Sequence, residues 1–296
     1  MTIEKSRFHT FFLIAVAILF VDQVGCGYLR SPESSSSVGS LALSSHSAEN
    51  LKLRSDGQFQ VETVKELAKI FEDFDLTQTK AVPRLYLAKL PGKPKAQKHA
   101  KKGAKALFVK AVLPHILQVN EGILADRTRL LELQEKQVEG KRLTPGEKLW
   151  LSKLASHYRC SSKIRTLLKH VDVVPPSLAL AQGALESGWG KSPAALAKNS
   201  TFGHMATKKK VMAFESLLHN VTAYIHNLNR HVAYAGFRDE RATLRQQGHT
   251  LCGYTLAPQL KKYSVRGTAY TKDLQHFITN HKFKKYDSAS LAATSL

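Results

Sequence analysis

Apolar residues along this chain recur mostly every three or four positions, the period of a helix with one buried face. Val61, Val64, Leu67, Ala68, Phe71 and Phe74 predict a short amphipathic helix. The longest pattern runs from Phe108 to Glu139. There Ile116, Ile123 and Leu130 recur by sevens, as do Leu117, Leu124 and Leu131, predicting one apolar stripe that Gly140 ends. Thr144-Pro145-Gly146-Glu147 reads as a capping box with proline at the first helical position. The helix it opens is expected to bury Leu149, Trp150, Leu154 and Tyr158. A third short helix follows over Ser162 to His170, carrying Ile164, Leu167 and Leu168.

The stretch from Val174 to Gly190 carries the most information. Pro175 and Pro176 stop what precedes them, and Pro176 fits a first helical turn, where its missing N–H costs nothing. Leu178, Ala181, Gln182 and Leu185 then fall at helical spacing, predicting a short, largely buried helix. It ends on Glu186, and Gly188 and Gly190 supply the backbone freedom that ends helices. A carboxylate beside Leu185 and Trp189 is a local conflict of the kind that marks functional sites. Apolar walls and the negative end of a helix both disfavour the ionised form, so a raised pKa is expected. Such an acid can give up a proton near neutral pH. On local grounds alone, Glu186 reads equally as a surface glutamate at a helix end.

Beyond it, Asn199 to Gly203 reads as a turn. The residues around Thr207 to Lys210 suffice for at most a short β-hairpin. Ser216 can cap a helix burying Leu217, Leu218, Val221, Ile225 and Leu228. Further helices are predicted from about Asp239 to Gln247 and from Thr271 to about Asn280. The pattern is that of a mainly α protein.

Composition adds a strong basic balance: 44 Lys plus Arg against 23 Asp plus Glu, net +21. Charge alone fits nucleic acid, anionic lipid or an anionic cell-wall polymer. No zinc-finger or RNP-like motif is present, so nucleic acid is not an expected partner. Residues 80–110 hold ten basic residues and no acid, and read as a basic loop over Tyr86 to Lys105. At the start, Lys5 and Arg7 precede an apolar run from Phe11 to Val21, too short to span a bilayer and expected to be a signal peptide. Gln23-Val24-Gly25-Cys26 is similar to a bacterial lipobox but for Gln23 and Asp22. Acylation of Cys26, ordinary cleavage and retention as an anchor all stay open. The Ser-rich run that follows predicts a flexible linker over 26–60. Cys160 and Cys252 remain, either as a pair or as two buried thiols. No spacing resembles a metal site, and no cofactor is expected.

The segment Leu180 to Gly190 resembles the signature of bacterial glucosaminidases, peptidoglycan-cleaving endo-β-N-acetylglucosaminidases. Asn199 to Gly203 resembles that family's Asn-x-x-Phe-Gly turn. Within the family, similarity to the Bax group extends through Val119 to Arg127, Val171 to Ser177, Tyr224 to Asn229, His231 to Tyr234 and Leu260 to Tyr270. The resemblance implies a lysozyme-like, mainly α fold. It divides the chain into a segment with a short helix and basic loop at 61–105, a helical extension packed on the core at 106–160, and a glucosaminidase domain at 161–287. It implies hydrolysis of peptidoglycan glycan strands after N-acetylglucosamine, in the periplasm or cell envelope, with a lipid anchor if Cys26 is acylated. Glu186 would be the general acid and Tyr263 would lie near the reacting sugar. Trp189, Phe202, Gly203, Tyr224 and Tyr234 would shape or line the cleft, although each aromatic also reads as core.

Glycosidases typically need a second carboxylate. The wider family often supplies it from a β-hairpin, but residues 203–214 contain no acid. Glu215 is the first candidate after that gap, and it reads equally as a first-turn residue favoured by the helix dipole. The alternatives are participation by the substrate's own 2-acetamido group, or a cleft that binds glycan without cleaving it.

Overall fold

The structure, a computed structural model, describes residues 52–72, 81–91, 100–207 and 210–293. The signal-peptide, Cys26 and poly-Ser expectations lie outside these residues. The fold is mainly α and lysozyme-like, with only short strands.

The first described elements are β1 (Lys52–Leu53), β2 (Phe59–Val61) and α1 (Val64–Ile70). They precede β3 (Ala81–Val82) and β4 (Leu85–Leu87). β2 pairs antiparallel with β1 and parallel with β4, in the register Phe59↔Leu85 and Val61↔Leu87. Residues 52–60 of the predicted linker thus hold β1 and the start of β2, and the predicted basic loop begins as a strand. Leu85, Leu87 and Leu90 are buried, and this anchors a segment whose charge had suggested solvent. A three-residue parallel strand leaves little local signal, because its partner lies far away in sequence.

Helix α2 (Ala100–Val138) starts earlier than the apolar pattern, since Ala and Lys continue a helix readily. It packs along the core. Phe108, Val112, Leu113 and Ile116 are buried where α2 packs on α5 and α7. Farther along, Ile123 and Leu130 are buried but Leu124 and Leu131 are exposed, so the predicted stripe is half as wide. Helix α3 (Pro145–Tyr158) has the expected capping box, with Thr144 and Glu147 bonded reciprocally. Leu149 is 57% exposed, contrary to expectation, while Leu151, Leu154 and Tyr158 face inward.

Helix α4 (Ile164–His170) leads to a buried polar knot. Asp172 is buried between three guanidinium groups: Arg245 at 2.9 Å, Arg127 at 3.5 Å and Arg241 at 3.9 Å. Burial pushes its carboxyl up, but Arg241, Arg245 and Arg127 outweigh this and hold it below its ordinary range. Asn120 exchanges two hydrogen bonds with the backbone of Val174. The segments Val119 to Arg127 and Val171 to Ser177 thus fix the entry of the next helix.

That helix is α5 (Pro176–Ser187), apolar on nearly every side and buried almost throughout. Its first turn is capped from the far end of the chain. Asp287 accepts bonds from the Ser177 N–H and hydroxyl, both at 2.8 Å. The chain then leaves α5 through three successive left-handed residues, Gly188, Trp189 and Gly190, at φ 57°, 62° and 72°. Helix α6 (Pro193–Lys198) and the hairpin of β5 (Met205–Thr207) and β6 (Lys210–Val211) follow. Next come α7 (Leu217–Arg230), capped by Ser216 as predicted, and α8 (Ala235–Gln246). Last are α9 (Gly253–Leu256), α10 (Thr268–Asn280) and β7 (Ser290–Leu291), which pairs with β3. Cys160 and Cys252 are free thiols and do not pair.

Candidate active site

Glu186 occupies the last turn of α5, partly buried, with α10 packed alongside. Burial pushes its carboxyl from 4.5 up to about 7. A hydrogen bond from Tyr270 and the positive charge of Arg266 pull it back only in part. Near neutral pH a large fraction of this group therefore holds its proton.

A wall of phenol rings stands around it. Tyr263 and Tyr270 stack face to face, with centroids 5.7 Å apart and planes 6° from parallel. Phe202 stacks on Tyr224 at 4.0 Å, and Tyr234 lies 6.0 Å from Tyr263. The Tyr263 hydroxyl donates to the Phe202 carbonyl at 2.8 Å, which ties the segment after α9 to the turn after α6. Burial, with the charge of Glu186 adding to it, holds the hydroxyls of Tyr224, Tyr263 and Tyr270 well above the usual tyrosine range, so they stay neutral donors. Tyr234 is raised to about 12 for the same reason.

The structure thus brings Glu186, Tyr263, Phe202, Tyr224 and Tyr234 together, with differing roles. Phe202 and Tyr224 are fully buried and form the back of the wall. Gly203 turns the chain at φ 69°, in the left-handed region. Gly183 matters for close approach, because a Cβ there would sit 3.0 Å from the Phe202 ring.

Trp189 is not part of this group. It packs in a second aromatic cluster with Phe108, Phe277, His281 and Phe283, and the Lys105 ammonium lies 5.0 Å from its ring centroid. The three left-handed residues carry it into that second cluster, a turn that helical spacing could not foretell. Glu215 is 93% exposed just before α7, and its ionic neighbour is His219 at 4.0 Å.

Two residues of the group were not singled out by sequence. Tyr270 faces Glu186 and lowers the pKa of its carboxyl, and Gln182 bridges Tyr270 and Tyr224 by hydrogen bonds. Both lie inside quoted motifs, but a buried tyrosine and a buried glutamine on apolar helix faces look like plain core until α5, α7 and α10 are packed together. The arrangement supplies one acid poised to donate a proton, and among the described residues no second carboxylate perturbs it. No group of three metal-ligating side chains occurs among the described residues.

Residues 162–283 match the family model described as mannosyl-glycoprotein endo-beta-N-acetylglucosaminidase (Glucosaminidase). The chain is also 34% identical over 187 residues to Protein bax of Escherichia coli (strain K12), an alignment covering 57% of this chain and 67% of that protein. No solved structure matches it significantly. The matched region contains Glu186, the tyrosine wall and Asp172 with Arg241 and Arg245, and its chemistry concerns glycans, whether by hydrolysis or by binding. On the strength of these similarities, the chain belongs to the Bax-type branch of the glucosaminidase family.

Proposed function

We propose that this protein is a peptidoglycan hydrolase, an endo-β-N-acetylglucosaminidase acting in the cell envelope, with Glu186 as the general acid. The observation that carries this reading is a single carboxyl, raised to about 7 by burial, set at the end of a rigid helix within a tyrosine wall. In the proposed mechanism Glu186 protonates the glycosidic oxygen as the bond breaks, and the Tyr270 hydroxyl steadies the carboxyl through its other oxygen. The exposure of Glu215 favours the substrate's own 2-acetamido oxygen as the nucleophile at the anomeric carbon. The resulting carboxylate of Glu186 then draws a proton from the water that opens the cyclic intermediate. The basic surface, net +21, suits an anionic wall.

The test is product analysis of purified peptidoglycan digested by the wild type and by Glu186→Gln. New reducing ends at N-acetylglucosamine, absent with Glu186→Gln, are expected. Reducing ends at the other sugar would reject the assigned bond. If the wild type releases no reducing ends yet still co-sediments with cell wall, the protein is a glycan-binding member of the family.

A further inference from the structure

Gln182 is fully buried on α5, one turn before Glu186. Burying an amide is costly unless its polar atoms are used. Its oxygen accepts the Tyr224 hydroxyl at 2.7 Å, and its nitrogen donates to the Tyr270 hydroxyl oxygen at 3.0 Å. The Tyr270 hydroxyl in turn faces the Glu186 carboxyl and lowers its pKa. A phenol has one proton. With the Tyr270 oxygen accepting from Gln182, its proton is left for the Glu186 carboxyl, the other polar group it faces.

The opposite orientation of the amide is worse on two counts. The buried Tyr224 hydroxyl would then receive a hydrogen bond, and its own proton would have no acceptor among the described residues. Tyr270 would donate back to Gln182 and accept from protonated Glu186, holding the catalytic proton inside the protein.

We propose that Gln182 is a positioning residue for the acid: by spanning Tyr224 and Tyr270 it fixes the direction of the hydrogen bond into Glu186, so that one carboxyl oxygen accepts and the other carries the proton to be donated. The inference rests on the reading of Glu186 as proton donor. The titratable and charged groups facing Glu186 are Tyr270 from α10, Arg266 from the segment before it, Tyr263 from the turn after α9, Tyr224 from α7 and Tyr234 from the turn after α7. Of these, Gln182 bridges two.

The experiment uses Gln182→Met, which fills similar space with no hydrogen-bonding group, and Tyr224→Phe, which keeps the ring stacked on Phe202. Glu186 is titrated by carboxyl carbon NMR, its signal assigned by its loss in Glu186→Gln, and kcat and KM are followed against pH. Without Gln182, Tyr270 is a weaker and no longer obligatory donor, so the Glu186 midpoint should move upward by about one pH unit. The decline of kcat on the alkaline side should move with it. At neutral pH kcat should fall roughly tenfold with KM little changed. A Glu186 midpoint unmoved in either folded variant overturns the proposal, and Tyr224→Phe decides if Gln182→Met does not fold. If Glu186→Gln still cleaves glycan, Glu186 is not the acid, a failure distinct from an unmoved midpoint.

Discussion

Glu186→Gln should abolish turnover and at the same time make the protein more stable above neutral pH. The wild-type carboxyl ionises near 4.5 in the unfolded chain and at about 7 in the fold. Its folded pKa is raised, so its contribution to stability is whole below 4.5 and is lost as pH rises through 7. At ~1.36 kcal/mol per pH unit, that gap of roughly 2.5 units is about 3 kcal/mol of strain once the group is forced to ionise in place. Glutamine keeps an oxygen that can accept from Tyr270 and never ionises. Urea unfolding of both proteins at several pH values measures the difference. At pH 8 the variant should be ahead by about 3 kcal/mol, and the lead should shrink steadily to nothing near pH 4. Equal stabilities at pH 8 would mean that Glu186 ionises without cost, and the account of its raised pKa would fail.

Glu215→Ala should leave glycan turnover within about twofold of wild type, because the side chain is almost wholly in solvent; loss of turnover in a folded variant would restore it as the second carboxylate. Asp172→Asn should cost about 3–5 kcal/mol by leaving Arg127, Arg241 and Arg245 without their buried counter-charge, measured by denaturant unfolding; a cost below about 1 kcal/mol would show that the knot contributes little. Gly253→Ala should destabilise by about 3 kcal/mol or more, since its methyl would press on the Ser177 hydroxyl and lie 2.5 Å from the Leu178 backbone nitrogen, neither of which has room to retreat; an unchanged melting temperature would contradict that packing.

The helix that carries Glu186 was legible because every local signal agrees. Two prolines open it, an apolar face runs through it and two glycines close it. The capping residues Thr144 and Ser216 were legible for the same reason, since a cap is settled within four residues. What stayed hidden depends on partners far off in the chain. The pairing of β2 with β4 and of β3 with β7 has no nearby signature. Gln182 and Tyr270 meet across 88 residues, and only the packing of α10 on α5 turns two core-like side chains into part of a site. Leu124 and Leu131 repeat at the same spacing as the buried Ile123 and Leu130, yet they face solvent. Periodicity identifies a face, while the number of neighbours decides how much of that face is covered.

The cap on α5 has a consequence for the order in which the molecule is completed. Asp287, which closes the first turn of the acid-bearing helix, is synthesised 110 residues after Ser177, its partner there. Tyr270 and Arg266, which set the proton affinity of Glu186, also emerge late. A growing chain can build α2, α3 and α4 while it still lacks a finished acid. The acid proposed for catalysis therefore waits on Arg266, Tyr270 and Asp287, all synthesised well after Glu186 itself.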